Sequence, residues 1–327
     1  MKRLLYIILL LVAASSARAQ QLPLYSQYLY NMFLINPAIA GSDGYTSINV
    51  TTRRQWVGLI GAPEVSSLSF QTRFLKRGYV LNTRKSGRQI YRPQRDSKVG
   101  LGGYLFTYNS GLIQRTGFQA SYVYHTWLDY TTQLSLSLGA SGYYLRIKDE
   151  DLIFEEEDNP ALYESLRRGI FVPDVVAGVY LLNVKYSIGF SADQLLGALV
   201  KIGDIGLTEY RMSRHFYLMG SYSFFIGKTF EIKPTALLKM SEQLKPQATV
   251  GAQFNYDNAL WAGVSYRTGM GGTLIANFGV RYDRYHLGYA FDFSMSQLHN
   301  VTYGTHEFTL AVKFGDYLRR YRWLDRY

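Results

Sequence analysis

Apolar and polar residues alternate with a period of two over long stretches of this chain. The alternation is unbroken at residues 133–141, 247–254 and 308–314. Because successive side chains of a strand point to opposite faces, each stretch predicts a strand with one apolar and one polar face. Many stretches run for about ten residues, the length that a tilted strand needs to cross a membrane.

The pattern predicts about 14 strands, an even number, as closed bacterial barrels have. Closure leaves no sheet edge with unpaired backbone N–H and C=O groups in lipid. The fold class we expect is therefore all-β: a transmembrane outer-membrane β-barrel of antiparallel strands. The predicted strands are 45–57, 64–75, 97–108, 113–127, 131–146, 174–180, 184–191, 214–225, 230–240, 246–255, 259–268, 273–282, 285–293 and 304–314.

The predicted links between strands sort by length. With the N-terminus in the periplasm, the tight links at 128–130, 181–183 and 283–284 lie on the periplasmic side. The long links at 147–173 and 192–213 lie outside. Short periplasmic turns and long outer loops are typical of bacterial barrels.

One long link, at 76–98, falls on the periplasmic side and carries a single acid, Asp96, among many bases. Two interpretations stay open: a solvated, flexible insertion, or a docking segment for an acidic periplasmic partner. An error of one strand in the count would move the link outside, against anionic lipopolysaccharide. Its candidate partner-docking residues are Lys76, Arg77, Arg84, Lys85, Arg88, Arg92, Arg95 and Lys98.

The start of the chain has the features of a secretory signal peptide. Lys2 and Arg3 precede an apolar run at 4–14, and Ala17-Arg18-Ala19 gives the small-x-small cleavage pattern. The apolar run of about 11 residues is shorter than the roughly 20 that a spanning helix needs. We expect residues 1–19 to direct export and to be removed after Ala19. The mature barrel is then expected in the cell outer membrane.

Two further segments lie outside the strand pattern. Residues 20–44 are rich in aromatic side chains, which would be adhesive if exposed, so we expect a plug inside the barrel or a segment against its rim. Residues 45–314 form the predicted barrel. Residues 315–327 are a basic, aromatic tail that serves either as an interfacial anchor or as a partner contact.

Composition agrees with a membrane barrel. Charged residues make up only 18% of the chain against roughly 25% in soluble proteins, while Tyr counts 29. Tyr suits the boundary between lipid and water. The absence of Cys excludes disulfides, thiolate metal sites and lipid attachment at an N-terminal Cys. A net charge of +11 suits nucleic acid, lipid headgroups or an acidic protein, and export argues against nucleic acid and for the other two.

No catalytic constellation is recognisable, so we predict that the chain is not an enzyme and uses no cofactor or metal. His306 and Glu307 are neighbours, but on a strand they point to opposite faces. The acidic run at 155–158 is interpreted as a solvated loop, with weak Ca²⁺ binding as the alternative. The glycines at 100–103 are followed by no helix and are interpreted as relieving crowding in a curved strand. A membrane enzyme would need a spatial set around His125 or His306.

Several ordered motifs resemble the PorP/SprF family of type IX secretion system membrane proteins. They are YSQYLYN at 25–31, LINPAIAGS at 34–42, RQWVG at 54–58, GAP at 61–63, PD and GVY at 173–180, WAGVSYR at 261–267 and THE at 305–307. Ile39 stands where an aromatic residue is common, and Thr305 where Ser is usual. The family-motif positions are Gln27, Tyr28, Asn36, Pro37, Gly41, Gln55, Trp56, Gly58, Pro63, Trp261, Tyr266, Arg267, His306 and Glu307.

The resemblance implies a barrel that works with the type IX export machinery and, in some members, with gliding motility. The implied partners are periplasmic ring proteins, the translocon barrel and secreted client proteins. The implied role is export or surface retention of specific secreted proteins. The alternative function is an outer-membrane channel or transporter for hydrophobic or small solutes.

Overall fold

The computed structural model describes residues 25–74, 98–129, 131–147, 169–197, 199–202, 208–211, 213–227, 229–242, 245–257, 259–269 and 271–314. The predicted signal peptide, the acidic run at 155–158, the predicted C-terminal tail and the basic link apart from Lys98 lie outside the described residues.

The described residues form 17 strands and three short 3-10 helices. The helices are Met32–Leu34, Pro37–Ile39 and Gln297–Asn300. The strands are β1 Thr46–Arg54, β2 Glu64–Phe74, β3 Val99–Ser110, β4 Ile113–Trp127, β5 Thr132–Ile147, β6 Ile170–Asn183, β7 Tyr186–Asp193, β8 Leu199–Ile202, β9 Thr208–Arg211, β10 His215–Tyr222, β11 Phe224–Ile226, β12 Phe230–Ser241, β13 Gln247–Tyr256, β14 Leu260–Arg267, β15 Thr273–Tyr282, β16 Tyr285–Ser294 and β17 Thr305–Phe314.

The large sheet closes on itself into a barrel. Strands that are neighbours in sequence pair antiparallel, and β7 pairs with β10 across the hairpin formed by β8 and β9. β10 pairs in turn with β12, and β1 pairs with β17, which closes the sheet. β10 and β11 are one strand of the barrel interrupted at Ser223, since both pair with β12. The barrel therefore has 14 strands, which confirms the predicted fold class.

The two faces of the wall have opposite polarity. On β1, Ile48 and Val50 are 38% and 43% exposed, whereas Ser47, Asn49 and Thr51 are at most 2% exposed. Large apolar side chains thus point outward and polar ones inward, the reverse of a soluble protein. This arrangement is stable where lipid covers the outside, and it agrees with location in the outer membrane.

Most strand boundaries differ from the sequence prediction by one to three residues, and the larger differences are in β6 and around β10. Residues 170–173 and 181–183 were predicted as links but belong to β6, because they pair with β5 and, through Leu181 and Leu182, with β7. The turn from β6 to β7 lies instead at 184–185. The predicted strand 214–225 is interrupted, and the long link 192–213 contains the hairpin of β8 and β9.

We call the end of the barrel at which β1 begins and β17 ends the near end, and the opposite end the far end. The links at the near end are short, apart from the one between β2 and β3. The far end has the longer links between β5 and β6 and between β7 and β10. By the bacterial rule, the near end is the one expected to face the periplasm.

Candidate functional site

The N-terminal segment, residues 25–45, lies against the inward faces of strands on opposite sides of the barrel. Its first residues contact the far ends of β16 and β17, and its last ones contact β5 and β17 near the other end. The segment therefore runs along the lumen from the far end to the near end before it enters β1. It contains two of the 3-10 helices, and the Asn36 side chain caps the second by accepting from Ala38 N–H at 2.9 Å.

A buried ionic cluster holds the far end of the segment. Arg53 Nη2 lies 2.8 Å from Asp292 Oδ2, and its Nη1 lies 3.1 Å from Glu307 Oε2. Arg267 Nη1 also pairs with Asp292, at 3.3 Å. The Ser26 hydroxyl donates to Asp292 at 2.7 Å and accepts from Arg53 at 2.7 Å. Two cations and two carboxylates balance, so the cluster can be charged without leaving a net charge in the lumen.

The same cluster also holds the backbone of the segment. The Glu307 carboxylate accepts hydrogen bonds from the backbone N–H groups of Ser26 and Gln27, at 2.7 and 2.8 Å. Gln27 Nε2 donates to the Glu307 carbonyl at 3.1 Å, and Arg267 contacts the Tyr25 carbonyl at 3.5 Å. Three family-motif positions of the wall, Arg267, Glu307 and Trp261, thus converge on the segment, the last by stacking on Tyr30 at a ring separation of 4.4 Å.

The middle of the segment packs in an apolar cluster. Tyr28, Ile35, Ala38 and Ile39 from the segment are buried against the wall. The wall residues of this cluster are Tyr180, Leu182, Tyr217, Met219 and Leu237. These inward-facing apolar side chains lie where the segment crosses the inner face.

Asn36 fits between two strands because glycines stand opposite it. Its Nδ2 donates to the carbonyls of Val179 and Phe190, at 3.0 and 3.4 Å. A methyl group at Gly178 or Gly189 would collide with the Asn36 amide. The wall therefore has two bare positions shaped for one side chain of the segment.

At the near end the segment is held by hydrogen bonds from the wall. His125 Nε2 lies 3.1 Å from the Ala40 carbonyl, and its Nδ1 lies 2.7 Å from Ser135 Oγ. Gly41, with a φ of +73°, approaches the Thr72 carbonyl so closely that a Cβ would be 2.7 Å from it. His125 thus has a structural role here, with its ring enclosed.

Two glycines of β3 stand where the N-terminal segment comes close to the wall. A Cβ at Gly100 would lie 2.5 Å from the Ala40 carbonyl, and one at Gly102 would lie 2.6 Å from the Phe33 ring. The sequence predicted that these glycines relieve crowding in a curved strand, and at these two positions the crowding comes from the segment.

A second group of motif residues joins the links at the far end. In the link between β1 and β2, Gln55 N–H donates to the Pro63 carbonyl at 2.8 Å, and Trp56 N–H donates to Thr305 Oγ1 at 3.2 Å. Gly58, with a φ of +104°, packs against the Tyr303 ring. These motif positions fix the mouth of the barrel rather than the segment.

The remaining predicted positions lie outside the ionic cluster, and of these His306 borders the far-end links, with its Nε2 3.2 Å from the Tyr303 carbonyl. The His306 side chain points outward, and its Nδ1 forms a hydrogen bond of 2.7 Å with Tyr289 Oη. The Glu307 side chain points inward, so the two neighbours face opposite sides, as predicted. Tyr266 is 42% exposed on the outer wall. Of the candidate docking residues only Lys98 is described; it is exposed at the near end, 6.0 Å from the Tyr124 ring centre.

Sequence reasoning missed Arg53, Asp292 and Ser26. Asp292 stands between Phe291 and Phe293, and Arg53 follows two threonines in β1. These residues could have been found from a single charged residue on the lumen-facing side of an otherwise apolar strand, because such a charge needs a partner in the lumen.

Outside the strands, burial raises the pKa of Tyr30 well above its ordinary value, against a smaller lowering by the Gln253 side chain. Its hydroxyl therefore stays protonated. In the turn after β4, hydrogen bonds from Thr131 and Thr132 lower the pKa of Asp129.

Among the described residues, no helix is both long and apolar enough to cross a membrane. Within the same part of the chain, no group of three or more His, Asp or Glu side chains is arranged to hold a metal ion.

Solved structures that resemble this chain are barrel proteins of low sequence identity. The toluene transporter TbuX of Ralstonia pickettii is 10% identical, with 86% of this chain and 92% of that chain covered and a TM-score of 0.48. The outer membrane protein Omp33 of Acinetobacter baumannii is 8% identical, with 84% and 100% covered and a TM-score of 0.42. Likeness at this level says nothing about what this chain binds or carries.

No curated protein matches the chain. The family described as type IX secretion system membrane protein PorP/SprF matches residues 17–312, which is most of the chain and includes every motif position named above. The chain belongs to the PorP/SprF family of type IX secretion system membrane proteins.

Proposed function

We propose that this barrel supports the export or surface retention of specific secreted proteins through protein–protein contacts within the type IX machinery. The observation that carries the proposal is the family match over residues 17–312. The proposed partners are the periplasmic ring proteins, the translocon barrel and the secreted clients. A contribution to gliding motility is part of the same proposal.

The inner face of the barrel favours this role over diffusive transport. The N-terminal segment contacts strands on opposite sides of the lumen, and its residues at 31–42 are almost all buried. We propose that it acts as a plug. A plugged barrel suits a scaffold or a gated component better than an open channel for hydrophobic or small solutes.

The test is deletion of the gene in the native host, followed by a comparison of all secreted and surface proteins. We expect specific secreted proteins to accumulate in the periplasm, and a tagged copy to co-purify with periplasmic ring proteins. An unchanged set of secreted and surface proteins would reject the proposal. Conductance of the purified barrel in planar bilayers would instead support the channel.

A charge reversal tests whether the basic link is the docking segment. We expect Arg84→Glu, Lys85→Glu and Arg88→Glu together to weaken co-purification with the ring while membrane insertion is unchanged, because attraction to an acidic partner is lost. The matched control is Arg284→Glu, in a short turn at the same end. Equal co-purification of both variants would assign the link to the solvated insertion.

A further inference from the structure

A cavity of about 120 Å³ lies in the lumen at the near end. It is lined by Gln27 and Tyr30 of the N-terminal segment and, among others, by Trp261, Arg281 and Lys313 of the wall. These wall residues are placed close to the near ends of β14, β15 and β17. Since a water molecule takes roughly 30 Å³ in the liquid, the cavity has room for several waters or for one side chain.

The cavity lining is electropositive. Its cations are Lys233, Arg281 and Lys313, and its one acid is Asp43. Lys313 pairs with Asp43 at 3.3 Å, and Lys233 pairs with the nearby Glu231 at 3.7 Å.

The Arg281 guanidinium is the cation in this lining without an acidic partner. In the part of the chain that the structure describes it forms no ion pair, and its hydrogen bond is a long one, from Nε to the Asp283 carbonyl at 3.5 Å. Because a guanidinium offers five N–H donors in a planar fork, most of its capacity to bind a carboxylate is unused.

An unused neutral donor lies beside Arg281. Trp261 is 7% exposed, and its Nε1 has no hydrogen-bond partner among the described residues. Trp261 pairs across the sheet with Gly279, which is two residues from Arg281 on the same face of β15. A Cβ at Gly279 would collide with the indole, so this glycine is what allows the indole to lie there.

We propose that the near-end cavity binds a carboxylate side chain on an acidic segment of a protein partner, with the Arg281 guanidinium and the Trp261 indole N–H as donors. The inference rests on the proposed function, which supplies protein partners. It names the chemistry of contact: an aspartate or glutamate tip that enters the lumen from the near end.

A protein segment fits better than a free small anion because two features at this end have the same sign. β2 ends and β3 begins at the near end, and the link that joins them has eight cations against one acid in the sequence. A partner attracted to this end of the barrel would carry several carboxylates, of which one enters the cavity. Positive charge over such an area attracts an acidic chain more strongly than it attracts one small ion.

The experiment uses the full-length protein purified in detergent and two fluorescein-labelled decapeptides, one with alternating Glu and Ser and one with Gln in place of Glu. We expect the Glu peptide to bind at least about tenfold more tightly, as read by fluorescence anisotropy. Arg281→Gln should weaken binding of the Glu peptide by about tenfold, and Trp261→Phe by a smaller factor, because one neutral donor is lost. Arg284→Gln, in the exposed turn at the same end, should leave it unchanged.

Equal affinities for the two peptides would overturn the inference, as would equal effects of Arg281→Gln and Arg284→Gln. Competition by free glutamate at the same concentration as the peptide would show a small-anion site and would overturn the protein partner. If Arg281→Gln does not fold, the wild-type peptide comparison and Trp261→Phe decide. Loss of peptide selectivity with intact co-purification of ring proteins would reject this inference alone, and the reverse result would reject the proposed function alone.

Discussion

The far end and the middle of the N-terminal segment are held by different chemistry. At the far end, Ser26 and the backbone of Gln27 meet charged side chains with fixed distances and directions. In the middle, the side chains of Ile35 and Ile39 pack against apolar side chains, and the hydrogen bonds there join neutral groups, as at the Ile35 carbonyl. Apolar packing is non-directional and stabilises any arrangement in which the surfaces fit. The ionic cluster is directional, so its hydrogen bonds form in only one position of the segment. The comparison indicates that the ionic cluster fixes the position of the segment along the lumen. The apolar cluster contributes to how strongly the segment is bound to the wall.

The largest effect should come from removing one member of the ionic cluster. Glu307→Gln keeps the size of the side chain but leaves Arg53 and Arg267 facing Asp292 alone, which is an uncompensated buried charge. Breaking a buried ion pair in this way costs about 3–5 kcal/mol. We expect that loss in the free energy of unfolding, measured by urea titration in detergent micelles. We also expect faster proteolysis in the N-terminal segment.

The control for this prediction is Glu64→Gln, because Glu64 forms an exposed ion pair with Arg54 at 3.1 Å. Exposed pairs contribute about 0–1 kcal/mol. If the Glu307 and Glu64 variants were equally stable, the ionic cluster would not hold the segment, and the comparison between its two regions would be wrong.

A smaller effect should come from filling a bare position of the wall. Gly178→Ala places a methyl group against the Asn36 amide, and 3.2 Å from Pro37 Cδ. Overpacking of this kind costs about 1–3 kcal/mol. Gly220→Ala is the matched control, since its nearest atom is the Ser187 carbonyl oxygen at 3.8 Å.

Urea titration of the two variants separates the effect of a collision with Asn36 from the general effect of alanine in a strand. A loss confined to Gly178→Ala supports a wall shaped for Asn36. Gly220 is in the outward phase of β10, with Leu218 and Tyr222. Equal losses would therefore mean that alanine in place of a strand glycine is destabilising in general and that the fit of Asn36 contributes nothing.

The strands could be predicted from the sequence because their signal is local. β4 and β15 have the predicted bounds, since apolar side chains must face lipid at every second position. β6 was predicted too short because Ile170–Pro173 and 181–183 flank the alternating core of the strand, and their pairing with β5 and β7 is decided by the neighbours.

The lumenal contacts could not be predicted because they join residues far apart in sequence. Ser26 and Asp292 are separated by 266 positions, and Asn36 and Val179 by 143. The alternation places Gly178 and Gly189 on the inward face, but no local signal shows what lies opposite them, because the side chain that needs the space belongs to another part of the chain. The motifs at 25–42 and 305–307 indicated a family, but the sequence gives no geometry that brings Glu307 onto the backbone of Gln27.

The smallest effect is expected from a serine-to-alanine substitution made once at the far end of the segment and once in its middle. This pair tests the comparison most directly, because the change is the same in both regions. Ser26→Ala removes a hydroxyl that donates to Asp292 at 2.7 Å and accepts from Arg53. Ser191→Ala removes a hydroxyl that donates to the neutral Ile35 carbonyl, also at 2.7 Å. Hydrogen bonds to charged groups contribute about 1.5–3 kcal/mol and those to neutral groups about 0.5–1.5 kcal/mol.

Both serines are buried, at 5% and 1% exposure, so water cannot replace either lost bond and the charge of the partner is the main difference between the two sites. We therefore expect Ser26→Ala to lower the free energy of unfolding by about 1 kcal/mol more than Ser191→Ala. A larger loss for Ser191→Ala would show that hydrogen bonding in the middle of the segment fixes its position, and the division between a positioning end and an adhesive middle would have to be reversed.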